Sequence, residues 1–489
     1  MRIKRVMIIF GILVLLWCSC DTSGGGSNDP GHSPDPKPDI PPRVFFAENI
    51  ATSKPYQLTA DLLAEGRYCN VWVERGTGVN TTAARSVANA YDNSIYPKMM
   101  STFGITGPIF DYTGTQLIAY NTMELANWLV DGDGKMCILL LDIQDNYQPG
   151  VNQSFIAGYF WAGNLFDVPN SNESVMIYID TYPGVPGSKE SNAVLAHEMQ
   201  HLMNYVSSMI CRTSAMDTWI DEGLSSAAEW LYTGEQTEAH WKWYNNDPSG
   251  LIQKGNNFFV WGNRENENQY ALLDDYATVD LFFQWLRLQA GSNKIYHDII
   301  SSADYDYRAV TQAANKAMSG EGYDNWGTLL KTWLAANYVN APSGKYGYKN
   351  DRMLKDIKAK TAPAVAKIDL FPGEGVFSLT NAGFPWPAQG SNIKYSGLTM
   401  STPWLNDTTT YPGGALLTYN ANTNTGGSRE SGITTGVASA AMVSHGRFIG
   451  ELLSRPYAIG AGDLRRQNGH RENTGQGFTT LRKGTVEHD

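Results

Sequence analysis

The chain has 489 residues, of which 42% are hydrophobic, 12% aromatic and only 17% charged, with a formal net charge of −11 at pH 7. Few charges beside many Trp and Tyr exclude a mostly disordered chain, and the acidic balance excludes a nucleic-acid binder, whose affinity comes from a basic surface facing phosphates. The length suits about two or three domains, and 48 Gly with 22 Pro predict many turns.

At the start, Arg2, Lys4 and Arg5 precede an apolar run from Val6 to Trp17, followed by Cys18-Ser19-Cys20-Asp21. Cations ahead of about 12 apolar residues predict a secretory signal, and the run is shorter than the ~20 residues of a transmembrane helix. Ser19-Cys20 resembles a bacterial lipoprotein cleavage site, although Trp17 stands where an aliphatic residue is usual. The expectation is a lipoprotein-type signal over residues 1–20 with Cys20 lipidated; plain secretory cleavage nearby is the alternative. Residues 21–42 are Gly, Ser, Asp and Pro with little to bury, and read as a flexible linker. Export to a bacterial cell envelope or outer surface follows, with the membrane as a partner through the lipid. Beyond the signal lie Cys69, Cys137 and Cys211. An odd number so far apart is not a disulfide framework.

Tyr56 to Val73 is strand-like, with Tyr68 to Val73 its clearest part. Thr81 or Thr82 is placed to cap a helix running through Ala84, Val87, Ala90 and Tyr91 to about Met100. Asp131-Gly132-Asp133-Gly134-Lys135 resembles a fragment of a calcium loop, so Ca2+ is raised as a second cation. The remaining ligands and terminal Glu are missing, and the segment reads as a turn. Met136 to Leu141 is a wholly apolar run and predicts a buried strand. Ser154 to Phe160 and Ser174 to Asp180 are further strand candidates. The latter alternates Val175, Ile177 and Ile179 with Met176 and Tyr178, and is a candidate edge strand for an added peptide.

Helical periodicity then takes over, in Ser191 to Val206, Glu222 to Tyr232, Ala277 to Leu288 and Trp326 to Tyr338. Past about Ala341 the texture turns β-rich, with Gly375 to Leu379 and Ala415 to Tyr419 as strands. A boundary near 341–365 divides a domain over 43–340 from a β-rich C-terminal domain over 341–461, and residues 462–489 form a polar, Arg-rich tail.

The segment that carries chemistry is His197-Glu198-Met199-Gln200-His201. Residues four apart share a helix face, so two imidazoles can hold one Zn2+ with Glu198 beside them as base. Leu195, Met199, Leu202 and Val206 fall on the opposite face, which predicts one side buried and the other open to a cleft. A longer motif with Gly at 204 and His at 207 is absent, because Asn204 and Ser207 stand there. A third ligand on a second helix, about 20 residues on, gives the two-His-plus-Glu site of catalytic zinc proteases. Glu222 in Trp219-Ile220-Asp221-Glu222-Gly223-Leu224-Ser225 fits it. Asp221 and Glu229 are weaker ligands, and Glu229, on the Glu222 face, is placed to orient a ligand instead. Trp219, Trp230, Trp241, Trp243 and Trp261 are of a type more often core than substrate platform, and carry no site assignment.

Gly158-Tyr159-Phe160-Trp161, the strand from Ser171 to Asp180, the Ala-His-Glu-Met-Gln-His run and Trp-Ile-Asp-Glu-Gly-Leu-Ser together resemble the hyicolysin family of zinc metallopeptidases, in the gluzincin group. The resemblance runs from about Tyr56 to Tyr338 and is most specific between Gly158 and Glu229. It implies an α+β, zincin-like catalytic domain: a small mixed sheet over the metal-binding helix, with a helical lower lobe. It further implies His197, His201 and Glu222 as ligands of one zinc and Glu198 as catalytic base. Gluzincins place a Tyr or His on a later helix to stabilise the oxyanion. Tyr276 is the candidate here and Tyr270 the reserve.

The expected function is therefore an exported zinc endopeptidase acting on polypeptide substrates. No Gly-x-Met-Glu-Asn segment is present to hold a substrate amine, which disfavours the aminopeptidase variant. The alternative is a surface lipoprotein adhesin or binding protein on a degenerate metallopeptidase fold. The intact motif and downstream Glu argue against it.

Overall fold

Among the described residues, eight strands precede the metal-motif helix: β1 (Arg43–Asn49), β2 (Lys54–Glu65), β3 (Cys69–Glu74), β4 (Pro108–Phe110), β5 (Gln116–Ala119), β6 (Met136–Leu141), β7 (Gly158–Tyr159) and β8 (Met176–Asp180). Six of them form one mixed sheet in the order β1-β2-β3-β6-β8-β7, while β4 and β5 pair separately. Neighbours β3, β6 and β8 are parallel, and the remaining pairs are antiparallel. The apolar run in β6 has a simple cause, since both faces of the sheet are covered. Ile138, Leu140, Ile177 and Ile179 join the main core on one face, and Leu139, Leu141, Met176 and Tyr178 a smaller core on the other. The alternation expected in Ser174 to Asp180 is thus present, but that strand is not an edge. β8 lies between β6 and β7, and the sheet ends on that side at the short β7 and on the other at β1.

This computed structural model describes residues 40–110, 116–119, 121–151, 155–212, 214–268, 270–362, 367–379, 393–398, 415–426 and 430–433. The expected signal over 1–20 with Cys20, the linker up to residue 39 and the tail over 462–489 lie outside them. Among the described residues no helix is long and apolar enough to cross a membrane, and Cys69, Cys137 and Cys211 are free thiols.

The helices are α1 (Thr81–Ala90), α2 (Tyr96–Phe103), α3 (Thr122–Leu129), α4 (Lys189–Tyr205), α5 (Thr218–Thr233), α6 (Glu238–Asn246), α7 (Ala271–Ala290), α8 (Lys294–Ile300), α9 (Tyr307–Ala317) and α10 (Trp326–Val339). The helix expected from Thr81 to Met100 is capped one residue earlier than foreseen. The Asn80 side chain accepts from the Ala83 N–H at 3.0 Å. A π turn over Tyr91–Ile95 then divides it, where the Asp92 carboxylate accepts the backbone N–H groups of Arg67 and Tyr68. Trp219 is core, 1% exposed among Phe258, Phe259, Phe282 and Trp326. Close approach of α5 and α7 requires Gly223, where a Cβ would lie 2.3 Å from Phe283 Cε2.

Beyond α10 come β9 (Thr361–Ala362), β10 (Lys367–Leu370), β11 (Gly375–Leu379), β12 (Ile393–Leu398), β13 (Ala415–Asn420) and β14 (Glu430–Ile433). They form a four-stranded sheet, β12-β13-β11-β9, and a β10-β14 pair. The mix of helix and sheet makes the fold α+β. This β-rich stretch grips the helical half through a buried bidentate ion pair, Arg264 Nε and Nη2 donating to Glu374 at 3.0 and 2.6 Å. The Asn256 N–H also donates to the Gly375 carbonyl at 3.1 Å. Losing one partner of such a pair leaves a buried charge uncompensated. Arg264→Ala is therefore expected to cost about 3–5 kcal/mol in chemical denaturation, with much of the loss recovered in Arg264→Met/Glu374→Met. A cost below about 1 kcal/mol would show the pair to be of no more account than a surface one.

Candidate metal centre

Helix α4 opens at Ser188, whose hydroxyl accepts from the Ser191 N–H at 3.1 Å, and runs between the sheet and α5. The cleft-facing side foreseen for it is not seen. His197, Glu198, Gln200, His201 and Asn204 are all buried, like Leu195, Met199 and Leu202. The reason is tertiary, because α5 packs along the polar side of α4 and the sheet along its apolar side.

The two helices bring three ligand-type atoms together. Glu222 Oε2 lies 3.4 Å from His197 Nε2 and 3.6 Å from His201 Nε2. A tetrahedral zinc about 2.0–2.1 Å from each N or O ligand sets those ligands about 3.4 Å apart. All three atoms are buried and lack a hydrogen-bond partner, as do both Glu198 oxygens. Buried polar atoms left unbonded are costly, and their convergence fits a shared divalent cation. Among the described residues, His197, His201 and Glu222 are the group of His, Cys or acidic side chains able to hold one.

The other side of each imidazole is fixed. His197 Nδ1 lies 2.9 Å from Glu229 Oε1, and Glu229 Oε2 accepts from Thr237 Oγ1 at 3.1 Å. His201 Nδ1 lies 3.0 Å from Asp221 Oδ2 and 3.1 Å from Ser225 Oγ. Asn204 donates to Asp221 Oδ1 at 2.5 Å, and Ser225 donates to Gln200 at 2.6 Å. Carboxylates at Nδ1 fix the tautomer, turn each Nε2 toward the shared point and raise its basicity. Sequence reasoning weighed Asp221 only as a ligand and missed its contact with His201. Asn204, one turn beyond His201 on α4, was the available signal.

Burial alone lowers the basicity of His201, but Asp221 and Glu222 beside it more than reverse this and set it at about 10. His197 is also raised, burial being outweighed by Glu222 and Glu229. Burial pushes the Glu198 carboxyl up to about 7 against the pull of His201 and His197, and the nearby Phe160 N–H favours its charged form. A metal ligand must be neutral imidazole, whereas without a cation Asp221 and Glu222 favour the protonated form of His201. Metal loading should expel that proton, so the apparent affinity is expected to rise about tenfold per pH unit between pH 6 and 8. Asp221→Asn removes the charge and should shift this dependence to lower pH. Competition with a chelating dye across pH measures it, and a flat profile would refute the assignment.

The remaining candidates are placed as follows. Tyr276, in α7, is buried and meets Trp261 edge-on at 5.0 Å between centroids. One turn on, Asp280 Oδ2 pairs with His240 Nδ1 at 2.7 Å. Tyr270 immediately precedes α7 and packs against Trp243. In the Asp131 to Lys135 segment the carboxylates are engaged by the protein. Asp131 accepts from Ser174 Oγ at 2.7 Å and Asp133 from the Lys135 N–H at 2.7 Å, the pattern of a turn.

Neutral metalloprotease ShpI of Staphylococcus hyicus is 26% identical to this chain over 349 residues, spanning 69% of this chain and 72% of that protein. The chain is related to metallopeptidases. No family model matches it. The relationship makes metal-dependent peptide hydrolysis the chemistry against which His197, His201 and Glu222 are read.

Proposed function

We propose that the protein is an exported zinc endopeptidase of the hyicolysin type, in the gluzincin group, hydrolysing polypeptides. The observation that carries this is the meeting of His197 Nε2, His201 Nε2 and Glu222 Oε2, with the unbonded Glu198 carboxylate next to His197 on α4. Bound by those three residues, zinc would act as a Lewis acid on the scissile carbonyl and lower the pKa of water toward about 7. Glu198 takes the proton from the attacking water and passes it to the leaving amine, a task suited to a carboxyl raised to about 7. Glu229 and Asp221 hold the two imidazoles in register during that exchange. The Tyr276 phenol, with Tyr270 in reserve, is the donor proposed for the oxyanion.

In this reading the sheet and α4 form the upper lobe of a zincin-like domain over 43–340 and the later helices its lower lobe, with a β-rich domain over 341–461. Purified protein should hydrolyse casein, lose that activity to a chelator and regain it with zinc. Zinc bound at one equivalent without hydrolysis would favour a binding protein instead. Export with anchoring rests on residues 1–20. Metabolic labelling with a fatty acid is expected in the wild type and lost in Cys20→Ser, and label persisting in that variant would refute the assignment of Cys20.

A further inference from the structure

Two loops leave the carboxyl ends of the parallel neighbours β6 and β8, the side on which such sheets commonly bind ligands. Both carry aromatic side chains to the surface. Tyr147, from the first loop, meets Phe155 edge-on at 5.7 Å and Tyr182, from the second, at 5.5 Å. Tyr182 is 53% exposed and its neighbour Val185 66%. Exposed aromatics on slack loops would collapse onto the body, but these loops are pinned from below by two carboxylates. Asp145 accepts the Tyr147 and Ile156 N–H groups at 2.9 and 2.5 Å. The largely buried Asp180 accepts those of Ile143 and Gly184 at 3.1 and 2.9 Å. Gly184 packs so tightly that a Cβ there would lie 2.5 Å from the Asp180 carbonyl oxygen. The result is a preorganised apolar surface, which binds without the cost of ordering itself.

The surface lies on the segment that leads into β7. The Phe160 backbone N–H lies near enough to the Glu198 carboxylate to favour its charged form, Gly158 abuts Val194 one turn earlier on α4, and Phe155 is five residues before Phe160 in the same segment. Five residues of chain span at most about 17 Å. We propose that Tyr147, Phe155, Tyr182 and Val185 form a specificity subsite for an aromatic or branched aliphatic side chain of an extended polypeptide, three to five residues from the bond cleaved. The assignment rests on the peptidase reading above. The occupant follows from the surface, which is apolar and fixed by the hydrogen bonds of its loops.

The test uses the full chain with zinc, a peptide library read by mass spectrometry, and casein hydrolysis run beside it. Wild-type cleavage sites should be enriched in aromatic or branched residues at one position three to five residues from the scissile bond. Tyr182→Ala should abolish that enrichment. It should also raise KM at least tenfold, with kcat little changed, for a peptide carrying Phe there, so that the kcat/KM ratio of the Phe peptide to its Gly counterpart falls to about one. Val168→Ala, at an exposed apolar residue elsewhere, should leave the profile as in the wild type. Casein hydrolysis with a flat profile at those positions, or enrichment that survives Tyr182→Ala, would overturn the subsite alone. Hydrolysis of neither casein nor any library peptide would overturn the peptidase reading and the subsite with it.

Discussion

Glu198→Gln is expected to lower casein hydrolysis by about a thousandfold, while zinc still binds at one equivalent. Glutamine keeps the shape and burial of the side chain but can neither take the proton from water nor return it to the leaving amine. Losing a positioned acid–base group typically costs 10²–10⁴-fold, so a value of about 10³ is the central expectation. The substitution is also mild for the fold. Glu198 is fully buried with neither oxygen hydrogen-bonded, and a neutral amide there avoids the burial that pushes the carboxyl to about 7. The thermal midpoint of the variant should equal or exceed that of the wild type. Retention of more than about a tenth of the activity, well outside the usual effect of removing a general base, would mean that another group moves the proton.

Glu222→Ala should abolish both zinc binding at micromolar metal and hydrolysis, without unfolding the protein. Catalytic zinc sites rely on three protein ligands, and here the third oxygen stands 3.4 and 3.6 Å from the two imidazole nitrogens. A readout independent of activity is thermal stabilisation by the metal. At a thousandfold excess over Kd, a ligand that binds only the native state adds about 4 kcal/mol, so wild-type Tm should rise with zinc and that of Glu222→Ala should not. Equal zinc-dependent shifts in the two proteins would remove Glu222 from the ligand set.

The geometry around α4 and α5 explains which parts of the site could be read in advance. His197 and His201 were legible because a helix fixes the relation of residues four apart, whatever surrounds it. Glu222 was legible for a related reason, since it heads a second periodic segment a short distance on. The contacts of Asp221 with His201 and of Asn204 with Asp221 join side chains of different helices, and depend on how those helices cross. The same holds for the edge of the sheet. The alternation in Ser174 to Asp180 reports a strand, but alternation is identical in an edge strand and in one with partners on both sides. Helices α2, α3, α6 and α8 were not separately foreseen, because each adds too few turns for its period to stand out, and α9 was not foreseen either.

Length, composition and charge by themselves determined an acidic, turn-rich chain. The local spacing of its residues picked out the His197-Glu198-x-x-His201 segment, the downstream Glu222 and the apolar strand β6. All of these are properties of neighbours in sequence, which the 3.6- and 2-residue periods translate directly into shared faces. Only the tertiary structure decided that β7 rather than β8 ends the sheet on that side and that His197, Glu198 and His201 on α4 are buried. It alone decided that Asp221 and Glu229 hold the imidazoles, and that Glu374 locks the β-rich stretch to Arg264. Each of these joins residues distant in sequence, and such pairings are set by packing and burial of the whole chain, which no local pattern encodes.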